Sequence, residues 1–196
     1  AAPRADHPVP HAPLEAGGGM MSTRSGGLFV GRLTAENGIG TLLEALDLFP
    51  GARIDVIGAG PADASLRAHP QLRVLGRVGS TEVQERMRSA AYLVLPSLSY
   101  EALPRPLVEA FANALPVLAS RLGALAELIE PGRNGLLFEP GSGRDLARRL
   151  AWAEAFPEKM RQMGECARAD YEARFVADWS YQRLFGERRR GIRAVS

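Results

Sequence analysis

Residues 91–109 read AYLVLPSLSYEALPRPLVE, and this stretch decides the fold. Its first part, Ala91 to Leu95, is a short continuous apolar run, typical of a strand that is buried on both faces. Its second part is a loop that leads into a helical pattern near Pro106, a residue that suits a first helical turn because no donor is needed there. Open α/β sheets bind ligands at the carboxyl ends of such strands. The stretch therefore predicts both a parallel sheet and a binding site.

Apolar runs of the same kind recur along the chain, at residues 28–30, 52–57, 72–75, 116–119 and 135–138. Stretches of helical spacing separate them, and one apolar helical face consists of Leu42, Leu43, Ala45, Leu46 and Phe49. Alternation of short strands with helices is typical of βαβ units. The predicted fold class is therefore α/β, a Rossmann-like parallel sheet of about six strands with helices on both faces.

Composition divides the chain into three segments. Residues 1–27 are rich in proline and glycine and poor in apolar side chains, so burial cannot offset the entropy of ordering them. We expect this segment to be disordered or a linker. Residues 28–178 carry the strand and helix pattern and are the predicted domain, and residues 179–196 are expected to form a closing helix and a basic tail.

Charge and cysteine content exclude several classes of protein. The chain has 24 basic and 22 acidic side chains, a formal net charge of +2, which is too small a bias to indicate a nucleic-acid partner. Cys166 is the only cysteine, so no intrachain disulfide and no cysteine metal cluster can form, and a reducing, cytoplasmic setting is favoured. No apolar run approaches the ~20 residues that cross a bilayer.

Three loops that follow predicted strands carry candidate binding groups. After the first strand, Gly31 permits close backbone approach and Arg32 offers a forked, permanently charged donor, although Arg32 could also be a surface residue paired with Glu36. After the second strand, Gly58 lies in a glycine-containing turn, which is a weak signal by itself. After the third strand, Arg77 and its neighbours are a candidate surface for a nucleotide base.

The loop after the fourth strand lies between two carboxylates, Glu101 and Glu109. At the predicted helix start, the backbone donors of Leu107 and Val108 favour a phosphate group through their N–H groups and the helix dipole. Glu109, predicted within the same first turn, is placed to accept paired hydrogen bonds from a ribose diol. Alternatively, Glu109 has no role in binding and only stabilises the helix start through the helix dipole. Glu101 is either a solvated loop carboxylate or an acceptor for the hydroxyls of a sugar.

The Glu101 to Glu109 spacing resembles the Glu-x7-Glu signature of retaining nucleotide-sugar glycosyltransferases, family 4 in particular. Further motifs occur in the matching order, among them residues 30–33, 57–61, 75–78, 95–97, 116–120 and 134–138. Taken together, residues from about 28 to 181 resemble the carboxy-terminal, donor-binding half of such an enzyme, whose two-domain architecture is called GT-B.

The resemblance implies a nucleotide-diphosphate sugar as donor, transfer with retention of configuration, and neither a cofactor nor a catalytic metal. The candidate catalytic residues are Arg32, toward the diphosphate, and Glu101, toward the sugar hydroxyls. The implied substrate-binding residues are Asn37, Gly58, Arg77, Val78, Leu103, Pro104, Leu107, Val108 and Glu109. In this set Glu109 would contact the ribose, and the backbone near Leu103 and Leu107 the sugar and phosphate.

One departure from the family pattern bears on activity. Asn37 stands where the family usually has lysine, so one of two charges that neutralise the diphosphate is missing. Two alternatives therefore stay open: a non-catalytic nucleotide-sugar-binding module, which Asn37 supports, and a nucleotide-sugar epimerase of similar fold. A dehydrogenase is disfavoured because no Gly-x-Gly-x-x-Gly follows the first strand. Ala114 also occupies a position that is often glycine.

The expected partners follow from the same resemblance. In the family, the acceptor pocket comes from an amino-terminal domain, and residues 1–27 are too few to form one. We therefore expect the chain to be inactive without such a domain, supplied by a parent chain or by another chain, and to act in polysaccharide or glycolipid biosynthesis. Arg188, Arg189, Arg190 and Arg193 form a basic end, for which a solvated tail is favoured over peripheral contact with anionic lipid at the inner face of the membrane.

Overall fold

One parallel sheet organises the chain, for which the computed structural model describes residues 24–100 and 103–175. The strand order is β3-β2-β1-β4-β5-β6. The strands are β1 (Gly27–Val30), β2 (Ile54–Ile57), β3 (Leu72–Gly76), β4 (Tyr92–Leu95), β5 (Val117–Ser120) and β6 (Gly135–Phe138). This arrangement confirms the predicted α/β class. Most of the predicted linker, Glu101, and the closing helix with its basic end lie outside the described residues.

All six predicted apolar runs are strands, and their boundaries differ from prediction by two residues at most. The largest difference is at β2, which begins at Ile54 although the apolar run starts at Ala52. The Ala52 carbonyl accepts a hydrogen bond from Nε2 of Gln71, at 2.9 Å, so a side chain occupies the acceptor that a strand partner would use. Leu28 pairs with Asp55 on one side of β1 and with Leu93 on the other.

Helices cover both faces of the sheet. They are α1 (Ile39–Leu48), α2 (Asp63–Ala68), α3 (Ser80–Ser89), α4 (Arg105–Ala112), α5 (Gly123–Leu128), α6 (Gly143–Ala155) and α7 (Pro157–Arg174). Buried side chains of α1 and α6 form one core, and those of α4 and α5 form the other. Helix α7 spans both, since Met160 and Met163 pack in the first core and Ala167 in the second. Two apolar faces explain why the strands read as continuous apolar runs.

A polar cluster attaches α7 to the loop before β6, and it consists of the buried Asn134 and Asp170 and the partly exposed Arg133. The two Asp170 oxygens accept from Nη1 and Nη2 of Arg133 at 2.8 and 2.7 Å, and Oδ2 also accepts from Nδ2 of Asn134 at 2.7 Å. Asp170 is 5% exposed and Asn134 is fully buried. The carboxylate is therefore satisfied on both oxygens, as a buried charge requires.

Helix α3 begins at Ser80, and the preceding Gly79 makes no side-chain cap. Ala114 has a φ of 52°, the left-handed region that explains why glycine is expected there. No helix within the described residues is both long and apolar enough to cross a membrane.

Candidate functional site

A cleft opens where the strand order reverses. From β1 the chain first adds β2 and β3 on one side and then returns to place β4 on the other, so the loops after β1 and β4 leave in opposite directions. The cleft between them has a volume of about 190 Å³. It is lined by Phe29, Val30, Gly31, Arg32, Asn37, Leu95, Pro96, Ser97, Pro104, Pro106 and Leu125. Three of the predicted site residues therefore line one cleft: Arg32, Asn37 and Pro104.

The loop after β1 is held tightly against the end of β4. Nδ2 of Asn37 donates to the Arg32 carbonyl at 2.8 Å, which closes the loop on itself. Gly38 has a φ of 76°, and a Cβ there would lie 1.7 Å from the Pro96 carbonyl oxygen. The Leu98 N–H donates to the Glu36 carbonyl at 2.8 Å. Since glycine alone permits this approach, Gly38 brings the Arg32 loop to the β4 loop.

Gly58 packs against the backbone of the loop after β1, which forms one wall of the cleft. It has a φ of 151°, and a Cβ on it would lie 1.8 Å from the Gly31 carbonyl oxygen. The Gly31 N–H in turn donates to the Ile57 carbonyl at 3.0 Å. Gly58 is not among the residues that line the cleft. Its observed contact is with the backbone that carries Arg32, so a substitution there would displace that loop.

The opposite wall is formed by the loop and helix after β4. Pro104 is buried and lies just before α4, and Leu103 is half exposed. The Leu107 N–H donates to the Pro104 carbonyl at 3.0 Å. The prediction that Leu107 offers a free backbone donor to a phosphate is therefore wrong, because a tight turn at the helix start already uses it. Its neighbour Val108 is partly buried in α4.

Glu109 lies one turn further into α4 than predicted. The helix begins at Arg105, which places Glu109 in the second turn, and its first turn contains no acidic residue. The Glu109 carboxylate accepts a hydrogen bond from Nε of Arg105 at 2.6 Å, and their side chains are 22% and 84% exposed, respectively. Glu109 is therefore reachable from solvent and is already paired with a cation.

Arg77 and Val78 follow β3, the strand at the edge of the sheet, so β2 separates them from the strand that carries Arg32. Arg77 is exposed, whereas Val78 packs against the core that contains α4. Neither lines the cleft. Like the cleft, they lie at the carboxyl-terminal edge of the sheet. A ligand longer than the cleft would extend along this edge.

A larger cavity, of about 630 Å³, lies at the opposite edge of the sheet, near the amino ends of β1, β2 and β3. Asp55 within it bonds Arg73 twice, at 2.8 and 2.5 Å, and Arg86 at 3.1 Å. Arg86 also pairs with Glu82, at 3.4 Å, so both arginines already have carboxylate partners. This edge is also the one at which open α/β sheets do not bind ligands. The smaller cleft is therefore the candidate site.

The clearest pKa shifts lie away from the cleft. Hydrogen bonds from Arg133 and Asn134 lower the pKa of Asp170, against the opposing effect of its burial. Burial raises the pKa of Tyr92 well above its usual range, and the neighbouring Glu154 adds to this effect. Both groups belong to contacts of the fold and not to the cleft.

Some cleft residues escaped the sequence analysis. Ser97 lies two residues after the end of β4, and this position just beyond a strand was the available signal. Phe29 and Leu125 had no signal, because an apolar residue at a strand end or in a helix reads as core. Thr34 and Ser120, which also follow or end strands at this edge, have buried hydroxyl oxygens with no hydrogen-bond partner among the described residues.

Within residues 24–100 and 103–175, no three side chains of the His, Cys, Asp and Glu types converge to hold a metal ion. The expectation that the donor is bound without a catalytic metal stays a prediction.

Comparison with known proteins places this geometry in a family. Residues 25–170 match the family model described as glycosyl transferases group 1. The sulfoquinovosyl transferase SQD2 of Arabidopsis thaliana is 31% identical over 152 residues, which cover 74% of this chain and 29% of that protein.

Two solved structures show similar folds. HepE of Anabaena, in complex with UDP-glucose, has a TM-score of 0.68 and 26% identity over 77% of this chain and 44% of that one. The C-terminal domain of LpcC of Francisella tularensis has a TM-score of 0.66 and 22% identity over 78% of this chain and 88% of that one. This chain thus spans less than half of SQD2 or HepE. Because the family model matches well over half of it, the chain belongs to the glycosyl transferases group 1 family, as a GT-B glycosyltransferase domain.

Proposed function

We propose that this chain is the donor-binding domain of a retaining glycosyltransferase of the family 4 type. Its ligand is a nucleotide-diphosphate sugar, bound in the cleft between β1 and β4, and the sugar goes to a glycan or glycolipid acceptor. The observation that carries the proposal is the convergence of Arg32 and the start of α4 on this cleft. HepE, which shares the fold, binds UDP-glucose, which supports the ligand class.

The proposed chemistry is stabilisation of a departing diphosphate. As the bond between sugar and diphosphate breaks, negative charge grows on the leaving oxygen, and the role proposed for the guanidinium of Arg32 is to neutralise that charge. Glu109 would accept hydrogen bonds from the ribose diol, and Glu101 from the sugar hydroxyls. The departing phosphate oxygen would take the proton of the acceptor hydroxyl, so the domain needs no strong base of its own.

The acceptor side of the site is proposed to come from another domain. The matched region is 29% of SQD2 and 44% of HepE, so most of each of those proteins has no counterpart in this chain. The proposal therefore includes inactivity of the isolated chain until an amino-terminal acceptor domain is present. A role in polysaccharide or glycolipid biosynthesis, a cytoplasmic location and contact of the basic end with anionic lipid are further parts of the proposal.

A second candidate function is a nucleotide-sugar-binding module without turnover. It is favoured by Asn37, which is neutral and whose amide is engaged with the Arg32 carbonyl, so it adds no charge to the cleft. Loss of one charge that stabilises the leaving diphosphate costs about a hundredfold in rate. The family match favours both candidates over a nucleotide-sugar epimerase.

Calorimetric titration tests the proposed site. Uridine, guanosine and adenosine diphosphates and UDP-glucose are titrated into the wild-type chain and into Glu109→Ala. We expect one base to bind, and the variant to lose about ten- to a hundredfold in affinity, because a charge-assisted hydrogen bond is worth about 1.5–3 kcal/mol. Failure of every ligand to bind the wild-type chain would overturn the proposal.

A matched control separates the site from general effects on a helix. Glu172 lies in α7 and pairs with Arg168 at 2.7 Å, with the same four-residue spacing as the Arg105–Glu109 pair. Glu172→Ala should bind the nucleotide as the wild-type chain does. In addition, Asn37→Lys should bind the diphosphate more tightly, because it adds a positive charge beside Arg32. Equal affinities for all four proteins would place the ligand elsewhere.

A further inference from the structure

The start of α4 lacks most of the backbone donors that a helix offers to an anion. Pro104 before the helix and Pro106 in its first turn have no N–H, and the Leu107 N–H donates to the Pro104 carbonyl. Helix starts bind phosphate groups mainly through these N–H groups. The wall of the cleft formed by α4 therefore needs another source of positive charge if a diphosphate is to bind against it.

Charge within the cleft is also sparse. Among the described residues that line it, Arg32 is the only charged one, and Asn37 beside it is neutral. A nucleoside diphosphate carries more than one negative charge, and a partly desolvated anion requires compensating charges or donors. One arginine supplies a part of this compensation.

Arg105 has free donors to supply the rest. It is not itself a lining residue, but it lies between Pro104 and Pro106, both of which line the cleft. Its side chain is 84% exposed, and among the described residues only its Nε is engaged, with Glu109. An arginine has five N–H donors in a planar fork that fits phosphate oxygens. The remaining donors of Arg105 are available to an anion at the mouth of the cleft.

The partner of Arg105 is the carboxylate to which ribose binding is assigned. A diol donates two hydrogen bonds to a carboxylate, one to each oxygen, and Arg105 already occupies one Glu109 oxygen. Both members of the pair are thus complementary to neighbouring parts of one ligand, the guanidinium to the diphosphate and the carboxylate to the ribose. An exposed pair of this kind is worth less than about 1 kcal/mol, so a ligand can replace it.

We propose that the Arg105–Glu109 pair opens when a nucleoside diphosphate binds, with Arg105 moving to the diphosphate and Glu109 to the ribose. This inference rests on the proposed function and adds a second cationic residue to the site. Arg105 thereby makes the domain selective for a diphosphate over the bare nucleoside, and it takes over the charge that Asn37 lacks.

Calorimetry with Arg105→Met tests whether Arg105 contacts the diphosphate. The probes are the nucleoside diphosphate that the wild-type chain binds and the corresponding nucleoside, whose affinity is measured by competition with the diphosphate. Arg105→Met should bind the diphosphate about tenfold more weakly, because it loses a charge-assisted contact. It should bind the nucleoside equally well or more tightly, because Glu109 is then free.

A loss of affinity for the diphosphate without a loss for the nucleoside distinguishes this role from simple positioning of Glu109. If Arg105 only orients the carboxylate, both affinities fall by the same factor, and equal losses would overturn the inference. Diphosphate binding by Arg105→Met that equals the wild type would overturn it as well and leave the proposed function standing. Absence of binding to the wild-type chain would overturn both.

Two further variants serve as controls for the effect of Arg105→Met. Arg67→Met removes an exposed arginine from another pair of the same spacing, with Asp63 in α2, and should leave both affinities unchanged. Arg105→Lys keeps the charge but loses the fork, so its diphosphate affinity should lie between those of the wild type and Arg105→Met. Unfolding by urea, measured for each variant, shows that the fold is intact.

Discussion

Two arginine–carboxylate pairs in this domain have the same chemistry and opposite surroundings. Arg133 binds Asp170 through two nitrogens, and Asn134 adds a third hydrogen bond to a carboxylate that is 7% exposed. Arg105 binds Glu109 through Nε, and the Glu109 side chain is 22% exposed. The two arginines differ in the same direction, since Arg105 is 84% exposed and Arg133 is 42% exposed. The first pair joins α7 to the loop before β6, whereas the second lies within α4, whose first turn borders the cleft through Pro106.

The difference shows how burial decides what a charged pair can do. The Asp170 carboxylate is enclosed by its partners, so no ligand could satisfy it better, and removal of a partner leaves a buried charge or amide unsatisfied. The Glu109 pair is screened by water and loses little when it opens. A buried, fully bonded pair stabilises the fold, and an exposed, partly bonded pair can exchange its partner for a ligand.

Asp170→Ala should have the largest effect on stability. The change leaves the Asn134 amide without its carboxylate partner in the core and removes both bonds to Arg133, which is itself partly exposed. We expect a loss of about 3 kcal/mol in the free energy of unfolding, measured by urea denaturation. Glu172→Ala, on the exposed side of the same helix, is the control. A loss below about 0.5 kcal/mol for Asp170→Ala would show that burial makes no difference here.

Acid should weaken the same cluster reversibly. The pKa of Asp170 is lowered in the folded protein by its bonds to Arg133 and Asn134, so its contribution is complete above the ordinary aspartate pKa of about 4 and is lost as pH falls through the lower folded value. The stability advantage of the wild type over Asp170→Asn, from urea titrations at several pH values, should therefore shrink below about pH 4. An advantage that is independent of pH would contradict this assignment.

Arg133→Lys should have an intermediate effect. Lysine keeps the charge but cannot bind both Asp170 oxygens at once, and Asn134 still satisfies one of them. We expect a loss of about 1 kcal/mol in unfolding free energy. Chemical denaturation at neutral pH measures it, and a loss as large as that of Asp170→Ala would mean that Arg133 alone holds the carboxylate.

Glu109→Gln should have the smallest effect on stability. Its pair with Arg105 is exposed, so the free energy of unfolding should stay within about 0.5 kcal/mol of the wild type. Nucleotide affinity should nevertheless fall, because a glutamine amide is uncharged and has one acceptor oxygen, whereas a carboxylate offers one oxygen to each hydroxyl of the diol. Urea denaturation and calorimetry of the same preparation measure both quantities. A large loss of stability would assign Glu109 to the fold.

The sheet could be predicted almost completely from the sequence. Each strand is a local apolar run, and a strand buried on both faces has the same pattern wherever it lies in the chain. The candidate site could be predicted in part, since Arg32, Asn37 and Pro104 directly follow or precede strands and helices and do line the cleft. Two details could not be predicted: whether the Leu107 N–H is free, and in which turn of α4 Glu109 lies. A shift of one residue in the start of α4 changes both.

The buried Asp170 cluster had no sequence signal. An aspartate in a charged helix reads as exposed, and its partners lie more than thirty residues away, before β6. The approach of Gly38 to Pro96 likewise depends on β1 and β4 being neighbours. Such pairings arise from topology, so a local pattern does not contain them.

The sequence by itself determined the α/β class, the six strands, and the group of loops in which a ligand site belongs, because periodicity and strand ends are local properties of the chain. Only the tertiary structure decided which of those loops meet in a cleft, which backbone donors are already used, and which of two similar ion pairs is buried. These outcomes depend on distances between residues far apart in the sequence and on access to water, which folding alone sets.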